Sequence, residues 1–273
     1  MDRKKLPAVL CLAAAVLLAA YPAAGRLLSR RTHSEVICAQ AESVRNTDPL
    51  AVAEALEAAD RYNATLASGL AGITWDGRNE AETGYDSLLN LAGDGVMGTV
   101  EIPVLGTELP IAHGTDARTL EHYVGHVPGS SLPVGGQNTH AVLSGHSGMA
   151  ASRMFSDLEK LRPGDCFVIR VLGQELCYRI DQIETVLPDD TSGLGIERGK
   201  DYVTLVTCTP CGVNTHRLLV RGVRIPKEEM PALPAETTAG RAVGVRTAVL
   251  VAAGVCTVSL TAFLIIRRRR TER

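Results

Sequence analysis

From Gly95 onward the chain is a series of short apolar runs separated by Gly, Pro and Asp. Strands this short, recurring at this spacing, pack stably when they pair around one shared core. The pattern therefore predicts a mainly β domain over residues 95–226, a closed or nearly closed barrel with short helices. The predicted strands lie within 98–103, 109–111, 141–143, 166–171, 176–180, 184–187, 202–207 and 218–225.

Helical periodicity appears in two places. Residues 49–68 are rich in Ala and Leu, with Asp48 placed as an N-cap, and this spacing predicts a helix over 49–68. Residues 152–161 predict a shorter helix that ends before Pro163 and Gly164.

An apolar segment lies near each end of the chain. Residues 6–25 follow a basic start, and residues 247–266 precede four consecutive arginines. About twenty residues span the hydrocarbon core, and arginine clusters favour the cytoplasmic side. We expect a transmembrane anchor at each end, although the small residues within 6–25 also fit a cleaved signal peptide. The predicted order is a cytoplasmic N-terminus 1–5, an anchor 6–25, a helical segment with a lid loop 26–94, the barrel 95–226, a linker 227–246, a transmembrane helix 247–266 and a basic tail 267–273.

Charge and cysteine content exclude other classes. The net charge of −2 over 273 residues gives no reason to expect a nucleic-acid partner. Of the seven cysteines, Cys166 and Cys177 flank a predicted hairpin that turns at Gly173-Gln174. That turn pairs Cys177 with Arg170, too far from Cys166 for a disulfide bond, so a disulfide-based fold is not expected.

Three residues have the chemistry of nucleophilic catalysis. Cys208 ends an apolar, β-branched run, His146 follows the run 141–143, and Arg217 opens the next predicted strand. A thiol needs a proton partner to attack at neutral pH, and an acyl-transfer intermediate needs a positive donor for its oxyanion. Strand alternation places Arg217 on one face with Leu219 and Arg221. His113, His122 and His126 show no metal-ligand pattern and are predicted to be turn or surface residues.

Longer motifs surround these residues. They are Leu109-Pro110-Ile111-Ala112-His113-Gly114-Thr115, Ser131-Leu132-Pro133-Val134-Gly135-Gly136, Ser144-Gly145-His146, Leu205-Val206-Thr207-Cys208-Thr209-Pro210 and Asn214-Thr215-His216-Arg217-Leu218-Leu219. With them, residues 98–224 resemble the sortases, specifically the pilus-assembling class C type.

The resemblance implies a sortase β-barrel and a cysteine transpeptidase. It implies Cys208 as nucleophile, His146 as its proton partner and Arg217 as the oxyanion or substrate stabiliser. The enzyme would cut a Leu-Pro-x-Thr-Gly-type signal of a pilin after Thr and transfer it to a lysine amine of another pilin. No cofactor or metal is expected. The catalytic domain would lie outside the cell membrane of a Gram-positive bacterium, with a cytoplasmic C-terminus.

Class C enzymes carry a lid with an Asp-Pro-aromatic motif over the cysteine. The corresponding loop here offers Trp75-Asp76-Gly77, and we predict that Trp75 and Asp76 belong to a lid that gates the cleft. Cys211 stands where the family usually has tyrosine, and it could protect Cys208 reversibly under oxidation. His140, six residues before His146, is a possible indirect contributor to the site.

Three alternative functions are open. One is a sortase that attaches proteins to peptidoglycan, which would share every catalytic residue. Another is a thiol–disulfide oxidoreductase using Cys208 and Cys211, although such enzymes place this motif at the start of a helix. The third is a non-enzymatic surface protein, because residues 233–237, Leu-Pro-Ala-Glu-Thr, resemble a sorting signal.

Overall fold

A computed structural model describes residues 6–68, 84–149 and 152–231. It divides into two units, one comprising Ser29–Leu233 and the other formed by the ends of the chain. The predicted lid loop with Trp75 and Asp76, most of the predicted linker and the predicted span 247–266 lie outside the described residues.

The N-terminal part contains two long helices, α1 (Leu6–Asn46) and α2 (Pro49–Ser68). Asp48 Oδ1 accepts a hydrogen bond from the Leu50 amide at 2.9 Å, which starts α2 at the residue that the sequence predicts. Among the described residues, which include 6–25, no helix is both long enough and apolar enough to cross a membrane.

Asn63 fixes α2 to the barrel domain. Its buried side-chain amide accepts from the Leu132 amide at 2.7 Å and donates to the Leu132 carbonyl at 3.1 Å, as a paired strand would. Ala59 and Leu66, on the same helix, are buried. The helix is therefore part of the folded unit.

Eight strands and one short helix follow α2 in the described part of the chain. The short helix is α3 (Ala117–His122). The strands are β1 (Val96–Ile102), β2 (Thr107–His113), β3 (Val124–His126), β4 (Thr139–Ser144), β5 (Cys166–Val171), β6 (Gln174–Val186), β7 (Asp201–Thr209) and β8 (His216–Ile225).

The strands close into a barrel in the order β1-β2-β3-β4-β7-β8-β6-β5, with β5 returning to β1. The pairs β2–β3 and β4–β7 are parallel and the others antiparallel. Side chains alternate between the two faces, so Leu205, Leu218 and Val220 join the main core while Val206 and Leu219 belong to a second apolar cluster. The predicted closed barrel is confirmed.

Three details of the predicted secondary structure are wrong. The runs 176–180 and 184–187 belong to one strand, β6, whose register shifts between Ile180 and Gln182. Residues 152–161 form turns and a single 3-10 turn, Leu158–Lys160, instead of a helix. The three-residue strand β3 was not predicted, because so short a run carries no readable alternation.

The β5–β6 hairpin has another register than the predicted one. Val171 pairs with Gln174, so the turn residues are Leu172 and Gly173, at φ of +45° and +82°. Cys177 consequently lies opposite Val168 instead of Arg170. The two cysteines flanking this hairpin, Cys166 and Cys177, are both free and buried.

His126 is fully buried, which contradicts its assignment to a turn or the surface. Its Nε2 lies 2.9 Å from the Ser131 carbonyl, and its Nδ1 lies 2.8 Å from the hydroxyl of Tyr85. Burial lowers the pKa of His126 to about 4, so the neutral ring donates from Nε2 and accepts at Nδ1. The residues around Tyr85 are thereby connected to β3.

Candidate active site

Cys208 and Arg217 are cross-strand neighbours. Cys208 lies near the end of β7, and in the antiparallel pairing its Cα partner on β8 is Arg217. Directly opposed residues have Cβ atoms about 5 Å apart and project from the same face. Both side chains are half-buried, so a substrate can reach them.

The guanidinium of Arg217 is oriented by one backbone carbonyl of the turn that joins β7 to β8 and by one at the start of β8. Its Nη1 donates to the carbonyl of His216 at 3.2 Å and to that of Asn214 at 3.4 Å. Asn214 has a φ of +62°, a left-handed conformation that asparagine tolerates better than most residues. The guanidinium keeps further N–H groups for another acceptor, since it carries five donors.

His146 lies in the turn that follows β4, the strand parallel to β7. Gly145 continues the pairing, since its amide donates to the Val206 carbonyl at 3.0 Å. A Cβ at Gly145 would come within 2.7 Å of the Phe155 ring, so only glycine fits there. The His146 carbonyl accepts from the Phe155 amide at 3.1 Å, and the His146 side chain is half-buried.

These contacts bring the three predicted residues together at one end of the β4–β7–β8 sheet. His146 and Cys208 follow the last paired residues, Ser144 and Val206, by two positions each. Cys208 faces Arg217 directly. The arrangement assembles a thiol, an imidazole and a guanidinium at a partly exposed edge.

The face of the sheet that bears Cys208 also carries a second, buried apolar cluster. Leu194, from the segment between β6 and β7, is fully buried in a cluster with Val127, Val142, Val206 and Leu219. A shallow groove beside this cluster is lined by Gln182, Glu184, Gly193, Thr204, Leu219 and Arg221.

His140 has a different environment from the other site candidates. It is buried on β4 opposite Tyr202, which lies six residues before Cys208 on β7. Its Nδ1 is 2.9 Å from the Gly195 carbonyl and its Nε2 is 2.7 Å from the Thr204 hydroxyl. Burial lowers its pKa, so the neutral ring connects β4, β7 and the intervening segment. These contacts give His140 a structural position at the far end of β7.

Cys211 is an exposed free thiol in the turn after β7. Its Sγ would lie 2.8 Å from a Cβ placed on Gly148, two residues beyond His146. A turn and strand β8 follow Cys208, without a helix start, so the setting that activates a redox C-x-x-C motif is missing here. Within the described residues no group of three or more His, Cys, Asp or Glu side chains is arranged to hold a metal.

Sequence reasoning missed two hydroxyls of the site. Ser147 Oγ donates to the Cys208 carbonyl at 2.6 Å, and the buried Thr207 Oγ1 donates to the Gly145 carbonyl at 2.6 Å. The available signal was position alone, since Ser147 follows the histidine and Thr207 precedes the cysteine.

Comparison with known proteins agrees with this geometry. Residues 100–225 match the sortase domain family. Sortase D of Bacillus subtilis (strain 168) is 34% identical over 166 residues, which cover 58% of this chain and 76% of that protein. The chain belongs to the sortase family.

Solved structures of class C sortases are also similar. Sortase C1 of Streptococcus agalactiae is 44% identical, with a TM-score of 0.67 over 71% of this chain and 99% of that chain. A sortase C of Streptococcus pneumoniae is 42% identical, with a TM-score of 0.65 over 70% of this chain and 97% of that chain. The structure of that protein is described as giving insights into catalysis and pilin substrate specificity. The resemblance to class C sortases is confirmed, and the protein is a cysteine transpeptidase.

Proposed function

We propose that this sortase cleaves a Leu-Pro-x-Thr-Gly-type signal of a pilin between Thr and Gly and joins the Thr carbonyl to a lysine amine of another pilin. The observation that carries the proposal is the placement of Cys208 opposite Arg217, beside the turn that bears His146. The similarity to class C sortases supports the choice of pilin substrates.

In the first step His146 takes the proton of the Cys208 thiol, the resulting thiolate attacks the Thr carbonyl carbon, and negative charge develops on the carbonyl oxygen. The Arg217 guanidinium donates to that oxygen, with its backbone bonds fixing its direction in advance. The C–N bond then breaks, and the Gly nitrogen leaves as an amine with the proton that His146 gives it. A thioester between Cys208 and the Thr carbonyl remains.

In the second step the acceptor amine attacks the thioester. His146 takes the proton that the amine loses, Arg217 again stabilises the oxyanion, and the Cys208 thiolate leaves. Atoms and charge balance without a cofactor, because one amide bond is exchanged for another. The acceptor decides between pilin polymerisation and the alternative, attachment to peptidoglycan, since both use the same three residues.

The acceptor is identified by competition. The enzyme is mixed with a pilin fragment that carries a Leu-Pro-x-Thr-Gly signal, together with equal amounts of a lysine-bearing pilin domain and a peptidoglycan cross-bridge peptide. Detection of an isopeptide bond at a pilin lysine by mass spectrometry would support the proposal. Exclusive transfer to the cross-bridge peptide contradicts it and favours the wall-anchoring alternative.

We also propose that the catalytic domain faces the outside of the cell membrane, with 247–266 as its anchor and the tail 267–273 in the cytoplasm. The apolar pattern and the terminal arginines support this topology. Protease treatment of intact cells should remove the barrel domain and spare the tail. Protection of the barrel domain would contradict the topology.

A further inference from the structure

The turn that bears His146 is attached to β7 beyond the end of strand pairing. The last paired residues are Ser144 and Val206, after which the Gly145 amide donates to the Val206 carbonyl. In the next hydrogen bond the donor lies on β7 instead: Thr207 Oγ1 donates to the Gly145 carbonyl at 2.6 Å. This bond fixes the residue before the histidine.

A second hydroxyl fixes the residue after it. Ser147 Oγ donates to the carbonyl of Cys208 at 2.6 Å. His146 is therefore flanked by two side-chain bonds to β7, and its own carbonyl accepts from Phe155. Of these bonds, the one from Ser147 ends on the nucleophilic residue itself.

We propose that Ser147 is a positioning residue, whose hydrogen bond to the Cys208 carbonyl sets the imidazole of His146 against the Cys208 thiol. The inference rests on the proposed catalytic roles of His146 and Cys208. Proton transfer depends steeply on the separation of the two heavy atoms, and a displacement of about 1 Å can cost about 100-fold in rate. A bond from the residue next to His146 to the backbone of Cys208 itself limits that displacement directly.

The hydroxyls of Thr207 and Ser147 differ in burial, and this difference distinguishes a positioning role from stabilisation of the fold. Thr207 is only 2% exposed, and removing its hydroxyl would leave the buried Gly145 carbonyl unpaired. Ser147 is half-buried, so water can replace its hydroxyl at the Cys208 carbonyl when the side chain is shortened. Loss of the Ser147 hydroxyl should therefore affect turnover far more than folding.

The test compares full-length wild type with Ser147→Ala, Ser147→Thr and a control, Ser87→Ala. Ser87 Oγ also donates to a backbone carbonyl, that of Gly84, at 2.6 Å, but outside the site. With a Leu-Pro-x-Thr-Gly peptide, Ser147→Ala should lower kcat about 10- to 100-fold and leave KM nearly unchanged. Ser147→Thr, which keeps the hydroxyl, should restore most of kcat, and Ser87→Ala should match wild type.

A second measurement needs no sorting peptide. The rate of Cys208 alkylation by iodoacetamide, followed by peptide mass spectrometry, is recorded against pH for wild type, Ser147→Ala and His146→Ala. The Ser147→Ala profile should move from the wild-type profile towards that of His146→Ala. A Ser147→Ala profile that overlays wild type would overturn the inference, as would a Ser147→Thr variant no faster than Ser147→Ala. Failure of wild type to cleave the peptide would instead count against the proposed substrate, because the alkylation profiles are independent of it.

Discussion

The buried histidine His126 makes the folded state sensitive to acid. Its side chain is fully buried, and its pKa is lowered from 6.5 to about 4, first because burial disfavours the charged ring. At a pH between these two values, His126 is protonated in the unfolded chain and neutral in the folded chain. The contribution to stability is therefore complete above about pH 6.5 and is lost as the pH falls towards 4.

The difference between the two pKa values corresponds to about 3 kcal/mol at most, since one unit is worth ~1.4 kcal/mol. In His126→Gln the side-chain amide can still donate to the Ser131 carbonyl, but it does not titrate. The variant should be less stable than wild type at pH 7.5. As the pH falls, its free energy of unfolding should also decrease less steeply than that of wild type. The two slopes should differ by up to about 1.4 kcal/mol per pH unit.

Urea unfolding of wild type and His126→Gln, repeated from pH 7.5 to 4.5, measures both slopes. His122→Gln serves as a control, because the His122 side chain is exposed. His140 and His33 also have pKa values lowered by burial, and they steepen the curves of wild type and His126→Gln alike. Parallel curves for wild type and His126→Gln would refute the argument that His126 is buried in its neutral form.

Three further predictions follow from the site, the barrel and the lid. Arg217→Ala should lower kcat for peptide cleavage about 100- to 1,000-fold in steady-state assays without a large change in thermal unfolding, and a kcat within a few-fold of wild type would contradict its oxyanion role. Tyr178→Phe removes the hydroxyl that donates to Asp201 at 2.9 Å and should cost ~1 kcal/mol in urea unfolding, while unchanged stability would show that this bond contributes nothing. The pair of changes Trp75→Ala and Asp76→Ala should speed cleavage by opening the predicted lid, and an unchanged rate would argue against a lid.

The sequence predicted the elements whose signals are local. The bounds of α2 follow from helical periodicity and from Asp48 as its cap, and both are observed. The faces of β8 follow from alternation, which places Leu218 in the main core and Leu219 in the other cluster. Arg217 is thereby placed on the outer face that Cys208 shares.

Errors arose where a distant contact overrides a local preference. The left-handed conformation of Leu172 is rare for a branched side chain, so the sequence favoured a turn at Gly173-Gln174. Leu172 is buried in the main core, and this packing favours the unexpected turn and shifts the register of β6. His126 was misassigned because its partner, Tyr85, lies 41 residues away in the chain.

The hydrogen bonds of the Ser147 and Thr207 hydroxyls escape prediction for a related reason. The bonds from Ser147 to the Cys208 carbonyl and from Thr207 to the Gly145 carbonyl span 61 and 62 residues. Only the parallel pairing of β4 with β7 brings these atoms together. Sequence spacing alone cannot reveal the pairing partner of a strand.

The central claim is that Cys208 carries the acyl group in a transfer reaction. Intact-mass spectrometry of the protein with a Leu-Pro-x-Thr-Gly peptide should show a mass increase equal to the fragment ending in Thr, mapped to Cys208. The adduct should form in Cys211→Ala, be absent in Cys208→Ala and disappear on addition of a lysine amine as the amide product appears. An adduct on Cys211, or product formation by Cys208→Ala, would contradict the account.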